Sequence, residues 1–116
     1  MTDNEQRQWN RLWEMYGSGA LRQADHTAYL LCEYDSGING EGHSEWFFNH
    51  RVRSPEWIAT YQSVLPKAFY ANLCMAYESC GTDREDAICA VADDWFYAHE
   101  EQITALIRQH ATDLKV

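Results

Sequence analysis

Five histidines, four cysteines and eighteen carboxylates are the groups in this 116-residue chain that could do chemistry, and their spacing decides which chemistry. His26, His43, His50, His99 and His110 include no pair at i and i+4 with a glutamate between, the pattern by which one helix face holds zinc. His43 and His50 flank an aromatic segment. His99 falls on the apolar side of the last helical segment, where a lone imidazole reads as a satisfied core residue. Cys32, Cys74, Cys80 and Cys89 contain no CxxC pair, and no histidine completes a zinc signature with them. Cys32, Cys74 and Cys89 sit among apolar residues and read as core fillers. All four read as reduced thiols. There is no nucleophile elbow and no Cys–His arrangement with supporting spacing.

One Gly-rich stretch, Asp35-Ser36-Gly37-Ile38-Asn39-Gly40-Glu41-Gly42, invites a calcium reading. Asp35, Asn39 and Gly40 would fill the first, fifth and sixth places of an EF-hand loop. The third place falls on Gly37, which has no side-chain oxygen, and the twelfth on Trp46, where a bidentate glutamate is needed. The stretch also lacks the preceding strand and the following Lys-Ser/Thr of a phosphate-binding loop. It reads as a turn between helices, and no metal or cofactor is expected.

The carboxylates are more informative. Asp93-Asp94 and Glu100-Glu101 are sequence neighbours, which on a helix point about 100° apart, so neither pair forms an acid/base dyad by itself. Wound as one helix, the segment after Gly81 separates into two faces. Ile88, Val91, Ala92, Trp95, His99, Ile103 and Leu106 form the expected core side, with Trp95 buried against Phe69 and Trp9 or Trp13. Asp83, Asp86, Asp93, Asp94, Glu100 and Glu101 form the expected outer side. Only Arg84, Arg108 and Lys115 are basic in this region. A solvated helix usually mixes signs, because like charges one turn apart cost a few tenths of a kcal/mol. The one-sign stripe is therefore a candidate partner surface.

The elements that must position these groups read as helices. There are only two Pro and six Gly, and no run of six alternates as a strand would. Trp9, Leu12, Trp13 and Tyr16 mark a first helix from about Asp3 to Tyr16, ended by Gly17-Ser18-Gly19. A second covers about Ala20 to Tyr34. A short helix carries Trp46, Phe47 and Phe48. Ser54-Pro55 is a helix start with Ser as N-cap. Pro66 either breaks that helix or begins the next, which runs from Lys67 to Cys80. Thr82-Asp83-Arg84-Glu85 matches a capping box before a long helix from about Asp83 to Ala111. The fold class is thus all-α, one domain over residues 1–116, of about five or six helices.

Charge and hydropathy narrow the partners. Eighteen Asp and Glu against nine Lys and Arg leave a net charge of −9. That argues against direct binding to nucleic acid, which needs basic residues to displace counterions, and against anionic membrane surfaces. It permits a cationic protein. The longest apolar runs, such as Ala28 to Cys32, fall far below the roughly 20 residues that span a bilayer. The opening Met-Thr-Asp-Asn-Glu-Gln has neither the basic nor the apolar region of a secretory signal. A cytoplasmic location is expected.

Three segments, Asn39 to Asn49, Leu65 to Gly81 and Asp93 to Ile107, together resemble a bacterial domain-of-unknown-function family related to the acidic DNA-mimic protein. Asn39-Gly40-Glu41-Gly42-His43-Ser44-Glu45-Trp46-Phe47-Phe48-Asn49 looks like that family's Asn-Gly-Gly, then Gln, aromatics and Asn. Leu65 to Gly81 looks like its Ala/Leu-rich helix ending at Gly. Asp93-Asp94-Trp95-Phe96-Tyr97 through Ile107 is similar to its closing helix. The resemblance covers about residues 28 to 110, with Glu41 inserted between the glycines and Glu45 where the family has Gln. It implies an all-helical domain that displays carboxylates where DNA displays phosphates and so occupies a DNA-binding protein or transcription factor.

The expectation is accordingly a non-enzymatic acidic protein-binding domain, in its narrower form a DNA mimic. Two other readings stay open: an immunity-type module masking a basic partner, and a small enzyme with a cleft near Glu33, Asp35 and His43. The stripe from Asp83 to Glu101 would span about 27 Å, a length over which a duplex carries about sixteen charges, against six here. A mimic would need Glu33, Asp35, Glu41 and Glu45 as additional acidic surface, or a second copy, so mimicry and homodimerisation go together.

Overall fold

This computed structural model describes residues 1–49 and 55–114, and among them there are six helices and no strand. The protein is all-α, as its periodicity predicts. It divides into two compact units: Met1–Tyr34 with the chain from Glu101 onward, and Asp35–Glu100. No helix among the described residues is long and apolar enough to cross a membrane.

In the first unit, α1 (Asp3–Ser18) opens with a capping box. The Glu5 amide donates to Thr2 Oγ1 (3.1 Å) and the Thr2 amide to Glu5 Oε2 (3.2 Å). Gly17 does not end this helix; Gly19 does, at φ 88°, where its lack of a Cβ removes the left-handed penalty. The single helix expected from Ala20 to Tyr34 is instead two. One turn, α2 (Leu21–Ala24), stops at Asp25. Asp25 Oδ1 then accepts the Ala28 amide (3.1 Å) and so caps α3 (His26–Asn49). A short carboxylate that can bond its own downstream backbone favours such a cap over a helix interior. The other oxygen of Asp25 lies 2.8 Å from His110 Nδ1 on the last helix. Leu12, Leu21, Ala28, Leu31, Cys32, Ile103 and Ile107 are buried here. Trp9, Trp13, Tyr16 and Tyr29 run beside them ring to ring.

The second unit contains the rest of α3, then α4 (Pro55–Ala59), α5 (Lys67–Ser79) and the first part of α6 (Glu85–Asp113). The predicted turn at residues 35–42 is helical. Ile38 is buried in it, and a side chain at Gly37 would collide with the Trp46 indole, so Gly37 serves close packing rather than a turn. Only Gly42 breaks the helical path, at φ 75° and ψ 168°. Pro66 begins α5 rather than merely ending α4. The expected Ser54 cap, and His50, lie outside the described residues. The capping box expected at Thr82 does not form. Glu85 Oε1 accepts the Gly81 amide (2.8 Å), while Thr82 Oγ1 accepts from Arg84 (3.2 Å). Trp46, Phe47, Tyr61, Phe69, Leu73, Cys89, Ala92 and Phe96 form this unit's core.

Candidate functional site

Of the expected core side of α6, Ala92 and Ile103 are buried, but in the second unit Cys89 and Phe96 are buried with Ala92 where Ile88, Val91 and Trp95 were expected. The helical phase read from the sequence is thus off by nearly one residue. Val91 is 62% exposed, and Trp95 is only half-buried, edge-on to Phe69 at 4.9 Å and stacked on His99 at 4.2 Å. Trp9 and Trp13, the other expected neighbours, belong to the first unit and pack with each other. The His99 ring sits 2.7 Å from the carbonyl of Trp95, one turn back on its own helix.

The shift has a cause. Three carboxylates of α6 turn toward the second half of α3 and bond there. Ser44 Oγ donates to Glu85 Oε2 at 2.5 Å. Asp93 Oδ1 accepts the His43 amide at 2.9 Å and faces His43 Nδ1 at 2.6 Å. Glu100 accepts from the amide of Asn39, which also reaches the carbonyl and the carboxyl of Asp35 at 2.9 and 3.3 Å. Asp93 and Glu100, two of the six residues expected on the outer side, therefore form part of the seam that joins α6 to α3.

The Asp93–His43 contact is the most enclosed of the three. His43 has no exposed surface, and its Nε2 is buried without a partner among the described residues. Burial alone would raise the Asp93 carboxyl, but bonds from the His43 ring and amide and the imidazole's charge outweigh it and hold Asp93 below the usual carboxylate range. Ionised Asp93 assigns the proton of the contact to Nδ1. Gly42 is part of the fit, since a Cβ there would stand 2.8 Å from Asp93 Oδ2. Asp93 thereby satisfies the first free amide of the helical segment that follows the Gly42 break.

Asp35 behaves in the opposite sense. Burial, then a hydrogen bond with Glu100 and that residue's negative charge, push its carboxyl up to about 7. The Asn39 side-chain amide donates to both carboxyls. Burial also raises the Cys89 thiol, and the carboxylates of Glu85, Asp93 and Asp86 add to that against a hydrogen bond from Ser79. It is a core thiol, not an activated nucleophile.

Asp83, Asp86 and Asp94 are what remains of the outer stripe in this unit. All three are exposed, and none has a hydrogen bond or ion pair among the described residues. Glu45 is likewise exposed, and Glu41 accepts from Asn49 at 3.1 Å. In the first unit Glu101 is exposed, while Glu33 accepts the Tyr16 hydroxyl at 2.5 Å. The groups of the postulated cleft are each engaged elsewhere: Glu33 with Tyr16, Asp35 with Glu100, His43 with Asp93. Among the described residues no three or more His, Cys, Asp or Glu stand where they could hold a metal ion.

The dyad was missed at the sequence level because its partners lie 50 positions apart, and nothing local marks the contact except a glycine directly before a histidine. The Asp25 cap carried a local signal, an Asp three residues ahead of Ala28, that the continuous apolar spacing masked. No protein-family model matches the chain, and no curated protein or solved structure matches it.

Proposed function

We propose that the chain is a non-enzymatic, acidic protein-binding domain whose α6 takes a cationic protein partner. One observation carries it: Asp83 in the turn before α6, and Asp86 and Asp94 on α6, are exposed and form no ion pair among the described residues, on a chain of net charge −9. Leaving like charges unpaired on a helix gives up stability that Glu–Lys pairs would supply, and a partner surface is what such an arrangement serves.

Mimicry of a duplex is the narrower form of this reading, and the geometry supports it less. On α6 itself Asp86 and Asp94 stand about 12 Å apart along the axis, a length over which B-DNA carries about seven charges against these two. The resemblance to the DNA-mimic family rests on the three sequence segments alone.

The test is capture from lysate by the parent and by the triple variant Asp83→Asn, Asp86→Asn, Asp94→Asn. Asp93 and Glu100 are left intact because they hold the seam. The parent should retain a basic protein at about 0.1 M salt and release it near 1 M, as the Debye length falls from about 10 to about 3 Å. The variant, with an unchanged helical spectrum, should lose that partner or associate more slowly. Equal binding by parent and variant, or no basic protein captured, overturns the proposal.

A further inference from the structure

The sequence writes two apolar faces onto α6, and the second unit covers only one of them. Cys89, Ala92 and Phe96 are buried. Ile88, Val91 and Trp95, at i, i+3 and i+7, have the spacing of a packed helix stripe, yet Val91 is 62% exposed and the other two are half-buried. Met75 of α5, 40% exposed, shares an open groove with Ile88. A row of apolar side chains that the fold leaves partly open is characteristic of a binding site, and a methionine beside Ile88 adapts its shape to what packs there.

The charges around the row say what fits it. Glu78, Asp83 and Arg84 line the same groove, and Asp94 lies about 60° around α6 from Val91. Three carboxylates thus stand against one guanidinium. Glu78, Asp83 and Asp94 have no hydrogen bond or ion pair among the described residues. A second copy of this chain would set the same carboxylates against their own kind across a two-fold contact. The straight i, i+3, i+7 row matches the stripe of a helix laid along it.

Resting on the proposed function, we infer that this face of α5 and α6 docks a basic amphipathic helix of the cationic partner, its apolar stripe on Met75, Ile88, Val91 and Trp95 and its lysines or arginines on Glu78, Asp83 and Asp94. Charge steers the encounter; the apolar row sets the register and the residence time.

The probe is a synthetic helical peptide of about five turns, leucines on one stripe and lysines flanking it, titrated against the full chain by fluorescence anisotropy. Controls are the same composition scrambled to destroy the stripe, and oligolysine of equal charge. The ordered peptide should bind at least about tenfold more tightly than either control. Met75→Ser with Val91→Ser changes exposed side chains only and should weaken it by about tenfold, with the helical spectrum kept. Asp83→Asn with Asp94→Asn should weaken it and flatten its salt dependence. If scrambled peptide and oligolysine bind as tightly as the ordered one, or the serine variant binds as well as the parent, the docking face is refuted while the acidic-surface reading stands. If sedimentation shows a dimer that the serine variant dissociates, a second copy occupies the face and the inference is overturned. If no cationic chain binds, both readings fall.

Discussion

Asp93 and Asp94 are adjacent carboxylates of one helix, and replacing each with alanine should give very different proteins. Asp93 accepts two bonds from His43 through one oxygen, at 2.9 Å from the amide and 2.6 Å from the ring. His43 is fully buried, so both donors would lose their acceptor in Asp93→Ala. An orphaned buried donor costs about 1–3 kcal/mol, which makes about 2–6 for the two. The Asp93 side chain is itself 26% exposed, so solvent can replace part of what it supplied, and about 2–4 kcal/mol is expected. Asp94 is exposed and touches no described hydrogen-bonding group, so Asp94→Ala should stay within about 0.5 kcal/mol. Urea unfolding followed by circular dichroism measures both, with the slope against denaturant checked for constancy. The effect should also depend on pH. A carboxyl held below its unfolded value contributes stability that is present above the unfolded pKa, about 3.9, and lost as pH falls through the lower folded value. The two variants should therefore converge only in strong acid. If Asp93→Ala and Asp94→Ala unfold at the same urea concentration at neutral pH, the seam does not hold this unit together and the assignment of His43 to Asp93 is wrong.

Asp35 carries the opposite sign. Its folded pKa, raised to about 7, means the folded chain binds more protons than the unfolded one between about pH 4 and 7, so stability should fall as pH rises through that window. Asp35→Asn should flatten that fall and stabilise the protein at pH 7, as read from melting temperature against pH. The glycines of the same stretch should separate too. Gly42→Ala forces a Cβ into a left-handed position against Asp93 and should cost about 1–3 kcal/mol, whereas Gly40→Ala meets open space in a helix and should gain about 0.4–1 kcal/mol; paired urea midpoints check both. Phe96→Ala should cost about 3–5 kcal/mol as a buried aromatic, and Val91→Ala, mostly in solvent, should stay within about 0.5 kcal/mol, again by urea midpoint.

The helical class and most helix boundaries were legible because they follow from local periodicity and punctuation, as at Pro66 and Gly81. Two misreadings had one source. The stretch from Asp35 to Gly42 looked like a turn because six of its eight residues, Asp35, Ser36, Gly37, Asn39, Gly40 and Gly42, are typical of turns; burial of Ile38 and the packing of Trp46 over Gly37 overrode that propensity. Wound at 100° per residue, α6 puts its carboxylates opposite the residues that read as apolar core, so all six are expected to face water. Asp93 and Glu100 do not, because His43 and Asn39 supply donors that are invisible in a single sequence at separations of 50 and 61 residues. Ile88, Val91 and Trp95 then passed for the core stripe, which their spacing resembles in every respect except that nothing in this unit fully covers them.

Gly42, His43 and Asp93 also constrain how this sequence can change over generations. Asp93 alone can hardly be replaced while a buried imidazole still points a proton at it, and His43 alone can hardly become apolar while a carboxylate with restricted hydration remains beside it. Any larger residue at Gly42 strains the backbone and crowds that same carboxylate. Each single step leads to a less stable chain, and only concerted replacement, for instance of His43 and Asp93 by apolar residues of similar volume, escapes the penalty. These three positions should be inherited as one linked unit. Asp94, one residue away, is exposed and stands outside this linkage.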